Sequence, residues 1–185
     1  MPIILKLRGA TALSAFRLDK LNSQLAGVHR SVQVLGAEYW HFAELGRALT
    51  DDQLGILQRL LDYGEVPAGA EAEGTVLLAV PRVGTISPWS SKATDIARRC
   101  GLDAVRRLER GVAYRLAGGR EVSEQRSAIL PLLHDRMTEA VHEDFDQAEA
   151  LFRHFEPRPL ATVPVLAPGG EGREALDEAN RQMGL

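Results

Sequence analysis

Apolar positions along this chain alternate in some stretches and recur every three or four residues in others, and the two periods take turns. Residues 3–8 alternate and stop at Gly9, the pattern of a short strand. Ser14, Leu18, Leu21 and Leu25 then recur at helical spacing, with Gly27 as a stop. Residues 32–43 are β-branched and aromatic and predict a long strand. Thr50-x-x-Gln53 is a capping box, because each side chain can reach the other's backbone N–H at the open start of a helix. Leu54, Leu57 and Leu61 carry that helix's apolar stripe and Gly64 ends it. Residues 65–74 predict a loop.

The second half repeats this order. Residues 75–82 predict a strand, and Ala93, Ile96, Ala97 and Cys100 a helix stopped by Gly101. Leu108, Val112, Tyr114 and Leu116 share one parity, so 104–116 is a strand. Ser123 is positioned to cap a last helix with Ile129 and Leu133 on its buried face, which Pro131 kinks or delays. The order is β-α-β-α twice. Arg8, Phe16, Gly27, Gln53 and Leu57 fall opposite Arg82, Trp89, Gly101, Gln125 and Ile129, at offsets of 72 to 74 residues. This matching points to an internal duplication. Tandem units of this kind predict an α+β fold, a tandem βαβα repeat forming a ferredoxin-like sandwich with helices on one face of the sheet.

After residue 140 the character changes. Phe145, Ala148, Phe152 and Phe155 form a further helical stripe. Residues 156–170 hold four prolines and two glycines and read as a linker. Residues 172–183 restart a helix through Leu176, Ala179 and Met183. The expected organisation is a domain over 1–140 and the start of a linker region over 141–185. A short helix after such a linker lacks a partner, which suggests the front of a longer protein. Residues 76–80 are apolar without alternation, as in a strand covered on both faces. Self-association of the isolated chain is therefore expected, or a patch that packs on other domains.

Composition narrows the function classes. Hydrophobic residues make up 45% and charged residues 25% of the 185, so most of the chain has the material for a packed core. The formal net charge of -3 provides no general attraction to nucleic acid or anionic membrane. The longest apolar run, Val76–Val80, is far too short to cross a bilayer. One cysteine allows neither an internal disulfide nor a cysteine-based zinc cluster. With no secretory pattern at the N-terminus, a cytoplasmic protein is expected.

Most candidate constellations have structural readings. Cys100 lies on an apolar stripe at a helix C-terminus, where the dipole disfavours a thiolate, and is expected to be buried. Glu139-x-x-His142-Glu143-x-x-Asp146 is half of a carboxylate-bridged di-metal motif without a second copy, and a solvated helix face is expected. Arg98, Arg99, Arg106, Arg107 and Arg110 form a basic cluster that Asp95, Asp103 and Glu109 can neutralise. His134-Asp135-Arg136 offers a base, an acid and an anion clamp, though neighbours on a helix do not face each other. The most unusual stretch is Arg82–Asp95, which leaves a strand and opens a helix, where backbone N–H groups point at anions. It carries Thr85, Ser87, Ser90, Ser91, Lys92 and Thr94 as donors, with Trp89 among them. It is no Walker loop, because the G-x-x-x-x-G-K-[ST] frame is missing. A capped helix accounts for one serine, Ser90 or Ser91, with Pro88 fixing the turn. It leaves Trp89 and the other hydroxyls for an interface or an anion contact.

The segment Pro81–Ile96 closely resembles the N-terminal region of the large, single-chain phosphoribosylformylglycinamidine synthases. So do Arg8-Gly-Ala-x-Ala-Leu-Ser-Ala-Phe-Arg17, Ala37-Glu-Tyr-x-His-Phe42, Arg107–Tyr114 and His134-Asp-Arg-Met137. The resemblance runs nearly end to end. It implies a domain similar to a fused dimer of the small separate subunit of multi-subunit synthases. The parent is a glutamine- and ATP-dependent carbon–nitrogen ligase of de novo purine biosynthesis, which converts formylglycinamide ribonucleotide to the amidine. ATP and magnesium belong to the parent, and no cofactor, metal site or catalytic residue carries over to this chain. Partners implied are the synthetase and glutaminase domains of the same parent chain, with neither nucleic acid nor membrane. The chain then acts in assembly and coupling and is inactive alone. Thr85, Ser87, Trp89, Ser90, Ser91, Lys92, Thr94, His134 and Arg136 are the interface or anion-contact candidates. The alternative is an independent two-repeat ferredoxin-like module that binds a small anionic ligand at the 84–95 loop.

Overall fold

The computed structural model of the chain describes residues 3–65, 73–153, 159–160, 162–166 and 171–183. Most of the expected 65–74 loop and much of the 156–170 linker lie outside the described residues. A first compact unit runs from Met1 to His154 and a second from Phe155 to Leu185.

In the first unit the order is β1 (Ile3–Thr11), α1 (Ala15–Ala26), β2 (Gln33–Leu45), α2 (Asp51–Leu61), β3 (Thr75–Pro81), α3 (Pro88–Arg99), β4 (Val105–Ala117), α4 (Arg120–Glu124), α5 (Arg126–Leu133) and β5 (Glu139–His142), followed by a 3-10 turn, Asp146–Phe152. The strands form one antiparallel five-stranded sheet in the order β1-β2-β4-β3-β5. The fold is α+β and ferredoxin-like, as the alternating periods predict.

The duplication is visible in the register. β2 and β4 pair antiparallel at the centre, with Tyr39 opposite Val112, 73 residues apart. That separation falls within the offset relating the two halves, so a pseudo-two-fold axis passes through this pair. The axis carries α1 onto α3 and α5 onto α2. The helices accordingly exchange partners between halves. Leu21 and Leu25 of α1 pack with Ile129 and Leu133 of α5 over Val34, Ala37, Leu77 and Leu116. Leu57 and Leu61 of α2 pack with Ala97 of α3 over Ala43, Leu45 and Leu108. Both clusters lie on the same sheet face.

Local chemistry sets the helix ends. Thr50 and Gln53 make the full capping box on α2. α3 ends in a Schellman motif, with Gly101 N–H on the Arg98 carbonyl and Leu102 N–H on that of Ala97. Gly101 has φ +83, which a side chain would strain. Its expected counterpart Gly27 has φ −71, so the repeats match in element order rather than residue by residue. Phe16 is likewise 76% exposed, whereas Trp89 packs into the core.

Several sequence expectations are corrected. Residues 139–146 do not form a helix: Glu139–His142 is strand β5, paired with β3 from Pro81 to Leu78. Backbone pairing to the open edge of β3 outweighs a polar helical pattern. The stripe from Phe145 belongs to the 3-10 turn, whose i, i+3 period buries Ala148, Leu151 and Phe152. This turn covers Phe42, Leu78, Val80 and Ala113 on the second sheet face, so the chain itself supplies part of the cover there. The division after residue 140 falls inside β5, and β5 and the 3-10 turn sit with the sheet. Cys100 is exposed at the α3 C-cap; Ile96, one turn before it, is 51% exposed as well, and α3 buries Ser90, Thr94 and Ala97 instead. Ser123 lies inside α4, and Pro131 is held within the short helix α5.

In the second unit α6 (Glu171–Met183) carries Glu171 and Glu174 in its first turn and Arg181 in its last, a favourable order for the helix dipole. Arg181 pairs with Glu178. Among the described residues no helix is long and apolar enough to cross a membrane.

Candidate functional site

The Arg82–Asp95 segment is built around the start of α3. Ser87 is the N-cap, and its Oγ accepts from Ser90 N–H at 3.0 Å while Pro88 occupies the first turn, where its missing N–H costs nothing. The cap is therefore neither Ser90 nor Ser91. The same serine donates its hydroxyl to Glu109 Oε2 at 2.8 Å and its N–H to Oε1 at 3.3 Å. Glu109 is fully buried, and Arg107 donates to it through Nε at 3.2 Å and through Nη2. Arg107 continues to the carbonyls of Thr85, at 2.6 Å, and Leu151, at 2.9 Å. The anion seat at this helix start is thus filled by the chain's own carboxylate. One network ties the loop, β4 and the 3-10 turn together.

The other candidates divide by burial. Thr85 donates its hydroxyl to the Arg82 carbonyl at 2.6 Å. Thr94 is buried, and its Oγ1 accepts Leu108 N–H at 2.9 Å, where β4 runs on past the end of β3. Ser90 is fully buried, and its hydroxyl has no hydrogen-bond partner among the described residues. Ser91 and Lys92 are exposed. His134 accepts its place at the end of α5 with Nδ1 donating to the Leu130 carbonyl at 2.7 Å, and Arg136 is exposed in the following turn. The Arg82 N–H donates to the Thr138 carbonyl at 3.0 Å, which sets that turn beside the 82–86 loop. Val83 and Ile86 on that loop and Met137 on that turn are exposed by 37%, 64% and 79%.

Trp89 points back over the helix-bearing sheet face. It meets His41 with ring centroids 5.6 Å apart, and the Arg110 guanidinium carbon lies 5.0 Å from its centroid. The same guanidinium carbon lies 4.3 Å from the Tyr39 ring centroid. Arg110 Nη1 also donates to Tyr63 Oη at 3.4 Å, and Tyr63 hydrogen-bonds His41 Nε2. Because the guanidinium can only donate, the Tyr63 oxygen accepts from it. His41 is almost fully buried, and its Nδ1 has no hydrogen-bond partner among the described residues. Burial, with the Arg110 charge beside it, pushes its pKa down to about 4 against a partial offset from the Leu7 backbone. Gly9 leaves the ring its space, since a Cβ there would lie 2.6 Å from His41 Cε1.

Sequence reasoning placed Arg107, Arg110 and Glu109 in one surface cluster. Strand parity separates them: Arg107 and Glu109 face the 3-10 turn, and Arg110 faces the helices. The signal for this was in the alternation of β4. Nothing in the sequence pattern marked His41 and Tyr63 as partners, because they come from β2 and the segment just after α2.

A βαβα duplication folded about a pseudo-dyad, with an extra edge strand and partner-swapped helices, defines an internally repeated ferredoxin-like module. The family model for the formylglycinamide ribonucleotide amidotransferase N-terminal region matches residues 38–152, and the chain belongs to that family. The match spans β2 through the 3-10 turn and so includes both the Glu109 network and the Arg110 layer. It connects the chain with an amidotransferase of purine biosynthesis and with other domains of a larger synthase.

Proposed function

We propose that the chain is the N-terminal structural and coupling domain of the ATP- and glutamine-dependent ligase that converts formylglycinamide ribonucleotide to its amidine. In this reading it has no turnover alone, and ATP and magnesium act in the parent's other domains. It works in the cytoplasm, packed against the synthetase and glutaminase parts of its own chain. The supporting observation is the exposed apolar rim of Val83, Ile86 and Met137 at the β3–α3 and α5–β5 connections. The Glu109 network ties the β3–α3 connection to β4 and the 3-10 turn, and Arg82 N–H joins it to the α5–β5 connection through the Thr138 carbonyl. Ser91, Lys92 and Arg136 supply polar contacts around the rim. Thr85, Ser87, Ser90 and Thr94 act indirectly by fixing the loop's shape. The second unit, from Phe155 on, leads into the linker of the parent.

The test substitutes Ile86→Asp and Met137→Asp in the full-length parent. Both side chains are exposed, so the melting temperature of the 185-residue chain should stay within ~2 °C. Glutamine-dependent synthesis in the parent should fall at least tenfold, as for loss of interface anchors worth ~1.4 kcal/mol or more. Full activity in both parent variants would remove the coupling role from this surface.

A further inference from the structure

Arg110 lies half-buried on the central strand β4, yet no carboxylate pairs with it among the described residues. Proteins rarely cover a guanidinium without an acid, because the desolvated charge then lacks compensation. Tyr39 and Trp89 hold it in place. The single hydrogen bond to Tyr63 leaves the rest of its N–H fork unspent.

The pseudo-dyad shows that the fold does not require this arginine. His41 pairs across the strands with Arg110, and the symmetry-related pair is Tyr114 with Ala37. Ala37 is 3% exposed and packs in an ordinary apolar core. One half therefore closes the same position with a methyl group, and the other places a cation there.

Beside the cation lies space. A groove of about 290 Å³ runs between α2 and α3, lined by Leu60, Tyr63, Trp89, Lys92 and Ile96 among others. Trp89 and Tyr63 belong to both the groove wall and the Arg110 bracket. Lys92 stands one helical turn from Trp89, on the same face of α3, and adds a second cation at the rim. An apolar trough that shares Tyr63 and Trp89 with the surroundings of a fork-shaped donor fits one kind of ligand.

We propose that Arg110, with Lys92 and the α2–α3 groove, binds a small organic oxyanion: a carboxylate or phosphate group carried on an apolar or aromatic body. The body lies along Trp89, Leu60 and Ile96, the oxyanion takes the fork of Arg110, and Tyr63 Oη closes the site. This goes beyond the docking role proposed above and does not depend on it.

The experiment titrates the 185-residue chain with phenyl phosphate and with inorganic phosphate, following binding by calorimetry and the His41 ring by NMR. Phenyl phosphate should saturate with a dissociation constant of ~1 mM or below and bind at least ~3-fold more tightly than inorganic phosphate. The His41 titration midpoint should rise on binding, because an anion offsets the Arg110 charge. Arg110→Gln should weaken phenyl phosphate at least ~10-fold and Lys92→Ala ~3-fold, with Arg98→Gln, an exposed arginine elsewhere on α3, unchanged. Arg110→Lys keeps the charge and the aromatic contacts but loses the fork; it should also lose ~10-fold, and it serves if the glutamine variant does not fold. No saturable binding up to ~10 mM, unchanged affinity in the folded Arg110 variants, or an equal loss in Arg98→Gln would overturn the proposal. The full-length parent tells the source of the anion. Binding retained there supports a soluble ligand. Binding lost there but present in the 185-residue chain overturns it in favour of an acidic side chain from another domain.

Discussion

Truncating Glu109 should be among the most damaging single changes the first unit can suffer. Its carboxylate is fully buried and accepts from Ser87 N–H, Ser87 Oγ and two atoms of Arg107. In Glu109→Ala the Arg107 side chain, 17% exposed, keeps its charge and loses its only anion among the described residues. The Ser87 N–H loses its acceptor where water has poor access. Breaking a buried pair from one side costs ~3–5 kcal/mol, unlike the ~0–1 kcal/mol of a surface pair. For a chain of this length ~4 kcal/mol corresponds to a melting temperature lower by about 10 °C. Glu109→Gln keeps the shape and one acceptor oxygen and should cost about half as much. The decisive comparison is the double variant Arg107→Leu/Glu109→Leu. Removing both charges leaves neither stranded, and the new apolar side chains meet Phe152 on the sheet face. Urea unfolding of wild type, both singles and the double should yield a coupling of ~2–3 kcal/mol. A Glu109→Ala cost below ~1 kcal/mol, or a double variant that simply adds the two singles, would refute the argument that this network is a stabilising unit.

Further consequences concern His41 and the close backbone approaches. The pKa of His41 falls from 6.5 to about 4 on folding, so between those values the unfolded chain binds a proton that the folded chain does not. Stability is then full above pH 6.5, declines as pH falls toward 4 and flattens below, by ~3 kcal/mol in all. Denaturation at several pH values should show this slope in wild type and its loss in His41→Gln; an unchanged slope would put its origin elsewhere. Gly111→Ala would place a Cβ 2.7 Å from the Ala79 carbonyl oxygen and from Val80 Cγ1, so β3 and β4 must separate and the cost should exceed ~3 kcal/mol. Gly101→Ala meets nothing within 4 Å and should cost only ~1 kcal/mol from its φ of +83, a difference that paired thermal melts resolve.

The fold was legible in the sequence as far as local periodicity could carry it. Alternation, the Thr50–Gln53 box and the Gly101 stop located β1 to β4 and α1 to α3 within a few residues, because each signal is completed by neighbours in sequence. β5 was not legible. Glu-Ala-Val-His becomes a strand only because β3 offers an unpaired edge, and an edge is a property of the assembled sheet. The site was harder for the same reason. The hydroxyls of the 82–95 segment stood out as donors, but the acceptors that use them, Glu109 and the Arg82 carbonyl, are known only once β4 lies beside the loop. Trp89 was readable as an anchor or as core. Its contacts with His41 and Arg110 place it in the sheet's central layer, with part of the ring left to line the α2–α3 groove.

The two halves of the sheet offer their own control for the Arg110 layer. If the His41–Arg110 pair serves binding rather than folding, the chain should tolerate its replacement by the pair that the repeat already uses. His41→Tyr/Arg110→Ala writes the Tyr114–Ala37 arrangement into the other half. The larger ring has room because the arginine stem is gone, and Tyr114 shows that a phenol at the related position can be buried, with its pKa pushed up to about 12. The exchange removes a partly covered cation without an acid and a buried imidazole that resists protonation, both of which oppose folding. It also forfeits the cation contacts to Tyr39 and Trp89, worth ~0.5–2 kcal/mol each. These contributions nearly cancel, so stability at neutral pH should change by less than ~1.5 kcal/mol. The stability slope between pH 6.5 and 4 should vanish with His41. Circular dichroism and urea unfolding read the first outcome, and a pH series reads the second. A double variant that fails to fold would mean that Arg110 is part of the architecture, and the asymmetry across the dyad would then need a structural cause.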